Sequence, residues 1–205
     1  MADNPAGLTL EQREIWESGV KLAEACEYEM GHTYQVIRLS MRLFDELQSL
    51  HGLGSTERFW LRLAALLHDI GWYEVTHGHH KSSLQIILNS PILLLHPDER
   101  LLVGSIARYH RRKLPDLSHD HYAALDPPTQ AVVSTLAAFL RVADGLDDSH
   151  MSVVKDIQLI YNDISIQIYY LSSQVAYDEE SAANNKSDLL KQVFERNVII
   201  QWKKS

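Results

Sequence analysis

Apolar residues recur at helical spacing along most of this chain and then switch to alternation near its end. This predicts a mainly α fold with a small C-terminal α+β extension. Thr9 and Gln12 form a capping pair that opens a helix predicted to run toward Tyr28 and stop near Gly31. In the next helix Val36, Leu39, Leu43, Leu47 and Leu50 draw one apolar stripe, with His32 one turn before them on the same face. His51-Gly52-Leu53-Gly54 ends it, and Ser55 with Glu57 opens a third helix. That helix is apolar on every face from Leu61 to Leu67 and delivers His68 and Asp69 side by side, with Gly71 expected as a left-handed terminator.

From Trp72 to Lys81 the pattern has no period and reads as a loop bearing His77, His79 and His80, before a short helix around Leu84 to Leu88 that Pro91 closes. Pro97, Asp98 and Glu99 open a helix that reaches Tyr109 and His110. A loop over 114–125 follows, and Asp126-Pro127-Pro128 caps an apolar helix that ends in Asp144-Gly145. Beyond Met151, residues Ile157 to Tyr161 and Ile164 to Tyr170 alternate around Asn162-Asp163, as a β-hairpin does. A polar helical stretch from Asp178 to Arg196 and a strand from Val198 to Trp202 complete the tail. The expected division is a helical domain over 1–150 with an extension over 151–205 packed on it.

Composition narrows the function classes. The 205 residues, 45% hydrophobic and 22% charged, suit one globular unit with a real core. A net charge of −8 argues against binding a nucleic-acid duplex or an anionic membrane as the main task. No apolar run is long enough to span a bilayer, and the first ten residues lack a signal-peptide pattern, so the chain reads as cytoplasmic. The single cysteine, Cys26, cannot form an internal disulfide, and with Glu24 and Glu27 beside it no cation activates it as a nucleophile.

The candidate chemistry is that of a metal site. A histidine and a carboxylate at the end of an all-apolar helix must be paired or must hold a cation. The predicted helices bring His32, His68, Asp69 and Asp144 to inward or helix-end positions. Nitrogen and oxygen donors together suit Mn, Fe, Co, Ni or Zn, with Mg admissible where oxygen predominates. Asp147, three residues after Asp144, is expected to orient a ligand if the helix continues. Arg108, Arg111, Arg112 and Lys113 concentrate positive charge around His110 and are candidate phosphate ligands, with Arg111 and Arg112 pointing apart if they are helical. His77, His119, His121 and His150 read as solvated or capping residues, and Trp60, Trp72, Tyr73 and Phe139 as core or pocket wall.

The order His32…His68-Asp69…Asp144 resembles the signature of the HD superfamily of metal-dependent phosphohydrolases. Leu66-Leu67-His68-Asp69-Ile70-Gly71, Tyr109-His110-Arg111-Arg112-Lys113 and Leu140-Arg141-Val142-Ala143-Asp144-Gly145-Leu146-Asp147 are similar to the C-terminal HD domain of the exopolyphosphatase and guanosine pentaphosphate phosphatase family, from about Tyr28 to the C-terminus. That family's phosphatase site lies in an N-terminal actin-like ATPase domain, so this domain, read as free-standing, is expected to act through its HD site. The resemblance implies an HD helical bundle holding one or two divalent ions and hydrolysing a phosphate ester or phosphoanhydride. The substrate class would be a phosphorylated small molecule such as a nucleotide, guanosine tetra- or pentaphosphate, or polyphosphate. His68 and Asp69 would be central to catalysis; a second ion would add His79 or His80 and His110, bridged by Asp69. The alternative is a non-catalytic module that senses a phosphate ligand or forms a homodimer.

Overall fold

The computed structural model describes residues 7–73 and 78–204. Most of the expected polar leader, and His77 with its expected solvated role, lie outside the described residues. Helix α1 (Leu10–Ala25) starts with the expected reciprocal cap: Gln12 N donates to Thr9 Oγ1 at 3.1 Å and Thr9 N to Gln12 Oε1 at 3.2 Å. Helix α2 (Met30–Glu46) buries Val36, Leu39 and Leu43, and a short α3 (Gln48–His51) ends at Gly52 with φ 65°. The central element is α4 (Ser55–Leu67). Leu61, Leu63 and Leu67 are fully enclosed because α1, α2, α6 and α8 surround this helix.

Asp69 leads into a 3-10 turn, Ile70–Tyr73, and then α5 (His79–Asn89). Helices α6 (Pro97–Arg108), α7 (Asp120–Ala123) and α8 (Pro127–Gly145) complete the helical part, with Asp126 capping α8 through Thr129 N at 2.9 Å. Strands β1 (Asp156–Tyr161) and β2 (Ser165–Ser172) form the antiparallel hairpin; α9 (Tyr177–Asn185) and α10 (Asp188–Phe194) then cross over to β3 (Asn197–Lys204), which pairs parallel to β2. A parallel pair requires such a crossover. Alternate residues of β2, Ile166, Ile168 and Tyr170, join the same apolar core as α4 and α8. The protein is thus mainly α-helical with a small C-terminal sheet, and among the described residues no helix is long and apolar enough to cross a membrane.

Several local expectations are corrected. Gly71 is not left-handed: a Cβ there would lie 2.0 Å from the His79 carbonyl oxygen, so glycine is required by the backbone of α5 passing over the turn. His79 and His80 belong to the first turn of α5, after Gly78 at φ 85°, and not to a loop. The loop over 114–125 contains α7. The polar stretch after Asp178 is two helices, broken at Lys186 and Ser187.

Two contacts bring the C-terminal part onto α8. A Cβ at Gly145 would lie 2.7 Å from Ala183 Cα, so α9 crosses the end of α8 at close range. Arg141 holds Asp188 through both carboxylate oxygens at 2.7–3.0 Å and donates to the Tyr109 carbonyl at 3.1 Å, linking α8, α10 and the end of α6.

Candidate metal centre

Three of the imidazoles, those of His32, His68 and His110, are held by their Nδ1. His32, in the first turn of α2, has Nδ1 2.9 Å from Asp147 Oδ2. His68, capping α4, has Nδ1 2.8 Å from the Ala65 carbonyl, and His110, two residues past α6, has Nδ1 2.7 Å from the Ala107 carbonyl. Carbonyls and ionised carboxylates only accept, so Nδ1 carries a proton in each ring, and Nε2 is the nitrogen whose lone pair becomes available when the ring is neutral. The Nε2 atoms of His32 and His68 and the Oδ1 of Asp69 are buried with no hydrogen-bond partner.

These atoms converge. His32 Nε2 lies 3.4 Å from Asp144 Oδ1 and 3.9 Å from Asp69 Oδ2. His68 Nε2 lies 3.5 Å from Asp69 Oδ2 and 3.9 Å from Asp144 Oδ1. On the other side of the same carboxylate, Asp69 Oδ1 is 3.2 Å from His79 Nε2 and 3.3 Å from His110 Nε2. Two donors each about 2.1 Å from one ion at a tetrahedral angle stand about 3.4 Å apart, close to these spacings. Two groups could each hold an ion: His32, His68 and Asp144, and Asp69, His79 and His110. Asp69 turns one oxygen to each group. Mixed imidazole and carboxylate donors favour Mn, Fe, Co, Ni or Zn.

The electrostatics are those of a site built for positive charge. Burial drives the imidazoles of His68 and His110 toward the neutral form, His110 to about 3. Burial also opposes ionisation of Asp69, but His68, His79 and His110 outweigh it and hold its carboxyl below the usual range. Asp144 is likewise held low against its burial, chiefly by Lys186, whose Nζ lies 2.9 Å from Asp144 Oδ2 and 3.1 Å from Asp148 Oδ1. For His32 burial works against the charge, yet the nearby Asp144 and Asp147 carboxylates prevail and raise it from 6.5 to about 10.

His32 therefore keeps a proton through neutrality in the metal-free chain. The stability this contributes is fully present below its ordinary 6.5 and is lost as pH rises through about 10. An ion bound at His32 must displace that proton, so Mn2+ or Zn2+ affinity should rise roughly tenfold per pH unit between about pH 6.5 and 8.5. Calorimetric titration across that range checks this, and a flat affinity would exclude His32 as a ligand.

A cleft of 570 Å3 opens onto the centre, walled by Tyr28, Glu29, His32, Asp69, Trp72 and His150. The Trp72 ring stacks on His79 at 4.1 Å. His150 stacks on His32 at 3.8 Å and meets Glu29 Oε2 at 2.7 Å. His150 is solvent-exposed as expected, and it also forms part of the wall of the site.

The remaining sequence candidates separate. Of His79 and His80, His79 meets Asp69, whereas His80 stands outside both groups and lines a different cleft, its pKa lowered to about 4 by burial and Arg108. Of the four cations, Arg111 reaches the centre, with Nη1 3.2 Å from His79 Nε2, while Arg108, Arg112 and Lys113 line the cleft of His80. The helical argument for their divergence does not apply, because α6 ends at Arg108 and the run turns through Arg112 at φ 62°. Asp147 does orient His32, but from the turn after α8, where its N–H donates to the Asp144 carbonyl at 3.2 Å.

Sequence reasoning missed Lys186, His150 and Glu29. Lys186 sits at the break between polar α9 and the short α10, outside any apolar stripe. His150 is folded back by left-handed backbone at His150 and Ser152, φ 58° and 50°, which no residue type there announces.

The family model of the Ppx/GppA phosphatase domain III matches residues 17–192, a span that carries every residue of both groups. No individual curated protein matches the chain. The family match covers most of the sequence and shows that this chain belongs to the Ppx/GppA phosphatase family.

Proposed function

We propose that the chain is a metal-dependent phosphohydrolase of the HD type, with residues 1–150 forming the HD body and 151–205 an extension that contributes Lys186 to the centre. The observation that carries this reading is the single carboxylate, Asp69, facing two groups of buried donors, one oxygen to each. His32, His68 and Asp144 would hold one divalent ion, and His79 and His110 a second, with Asp69 shared. Ions held there supply Lewis acidity toward a phosphoryl oxygen and lower the pKa of water.

The chain's own residues support the rest. Asp147, Ala65 and Ala107 fix the imidazole tautomers, Lys186 keeps Asp144 ionised, and Arg111 offers a guanidinium for substrate phosphate. Trp72 and His150 wall a cleft large enough for a small phosphorylated molecule. The proposed substrates are phosphate esters or phosphoanhydrides of the nucleotide, guanosine tetra- or pentaphosphate, or polyphosphate type.

The test is to load the purified chain with Mn2+, Zn2+ or Mg2+ and measure phosphate release from a panel of those compounds. Release that requires metal and is abolished by chelation is the expected result. No release from any member at full metal occupancy would overturn the enzymatic reading.

A further inference from the structure

A second cleft, of 1180 Å3, lies on the other side of α5 from the metal centre. Three segments build it: Gly78, His80, Lys81 and Ser82 at the start of α5, Arg108, Arg112 and Lys113 at and beyond the end of α6, and Ser118 to His121 around α7. Among the described residues, four cations and one carboxylate, Asp120, line it in a chain whose overall charge is −8. Such a local reversal of sign concentrates anions.

The residue that decides its chemistry is Arg108. It is 5% exposed, its Nη1 is buried with no hydrogen-bond partner, and no carboxylate among the described residues forms an ion pair with it. Its one close aromatic neighbour, the Tyr109 ring at 5.8 Å, is a weak substitute. A guanidinium does not lose its proton, and a buried unpaired charge is costly, so an anion from outside the chain is the natural complement. His80 Nδ1 and His121 Nε2 are also buried without partners and both residues line the same cleft. Helix α5, eleven residues long, begins here with no side chain capping it, and adds the positive end of its dipole.

We propose that this cleft is a second, anion-binding site that takes a phosphate group of a small molecule, separate from the metal centre and behind it. His79 faces one site and His80 the other, and the His80 ring stands 6.3 Å from that of His110. The phosphate comes either from the far end of a substrate held at the metal centre or from an independent ligand. The first source rests on the metal reading; anion binding in the cleft itself does not.

The probe is inorganic pyrophosphate, titrated calorimetrically onto the full-length chain without added metal. Wild type and Asp69→Asn should bind it with the same affinity, since the site does not use Asp69. Arg108→Met should weaken binding at least tenfold while leaving the melting temperature without pyrophosphate unchanged or higher, because an unpaired buried charge has been removed. Should Arg108→Met fail to fold, the exposed pair Arg112→Glu/Lys113→Glu should give the same loss. Unchanged affinity in the charge variants, or binding lost in Asp69→Asn alone, overturns the proposal. With a turnover assay, competition between pyrophosphate and substrate identifies the substrate's own far phosphate, and an effect without competition identifies an independent ligand.

Discussion

Asp69→Asn should abolish metal-dependent phosphate release, with turnover falling on the order of 10³-fold or more, and should lower metal content at both groups. The effect is large because Asp69 turns one carboxylate oxygen to each donor group: Oδ2 faces His32 and His68, and Oδ1 faces His79 and His110. Asparagine keeps the side chain's size but replaces one oxygen by an N–H2 and removes the charge that two cations would share. Substituting Asp144 in the same way spares the His79 and His110 side, so its loss of metal should be confined to one ion. Metal analysis and turnover on the two variants check this, and an Asp69→Asn protein within threefold of wild-type turnover would contradict the assignment.

Gly71→Ala should destabilise the chain by about 3 kcal/mol or more. The added Cβ would stand 2.0 Å from His79 O and 2.6 Å from Ser83 N, both backbone atoms of α5. No rotamer relieves such a clash, so the start of α5 must move off the 3-10 turn. Ser83 Oγ, which accepts from Gly71 N at 3.0 Å and donates to the His68 carbonyl at 2.7 Å, moves with it. The melting temperature should fall by roughly 6–12 °C for a chain of this size, and His79 should lose its place beside Asp69. Gly31→Ala is the control, since no atom stands within 4 Å of a Cβ built there. Thermal melts of the two variants decide the matter, and equal melting temperatures would show that α5 accommodates the methyl group.

The helices were legible because burial on one face leaves a period. The stripe of α2 and the all-apolar α4 place His32, His68 and Asp69 inward, and the alternation around Asn162-Asp163 reads directly as a hairpin. What stayed hidden depends on backbone that composition does not encode. Whether His79 or His80 meets Asp69 turns on α5 starting at Gly78, and the split of the basic run turns on a left-handed Arg112 beyond the end of α6. Lys186 reaches Asp144 across 42 residues of sequence through the close crossing at Gly145 and Ala183, a tertiary fact without local trace. The parallel pairing of β3 with β2 is of the same kind, set by a crossover through polar α9 and the short α10.

The central claim is that two divalent ions sit on either side of Asp69. Crystals of the chain loaded with Mn2+ or Zn2+, measured for anomalous scattering at the metal edge, test it most directly. The account predicts two anomalous peaks about 3.5–4 Å apart, one among His32, His68 and Asp144 and the other beside His79 and His110. Fully loaded crystals with no peak within bonding distance of Asp69 would contradict it.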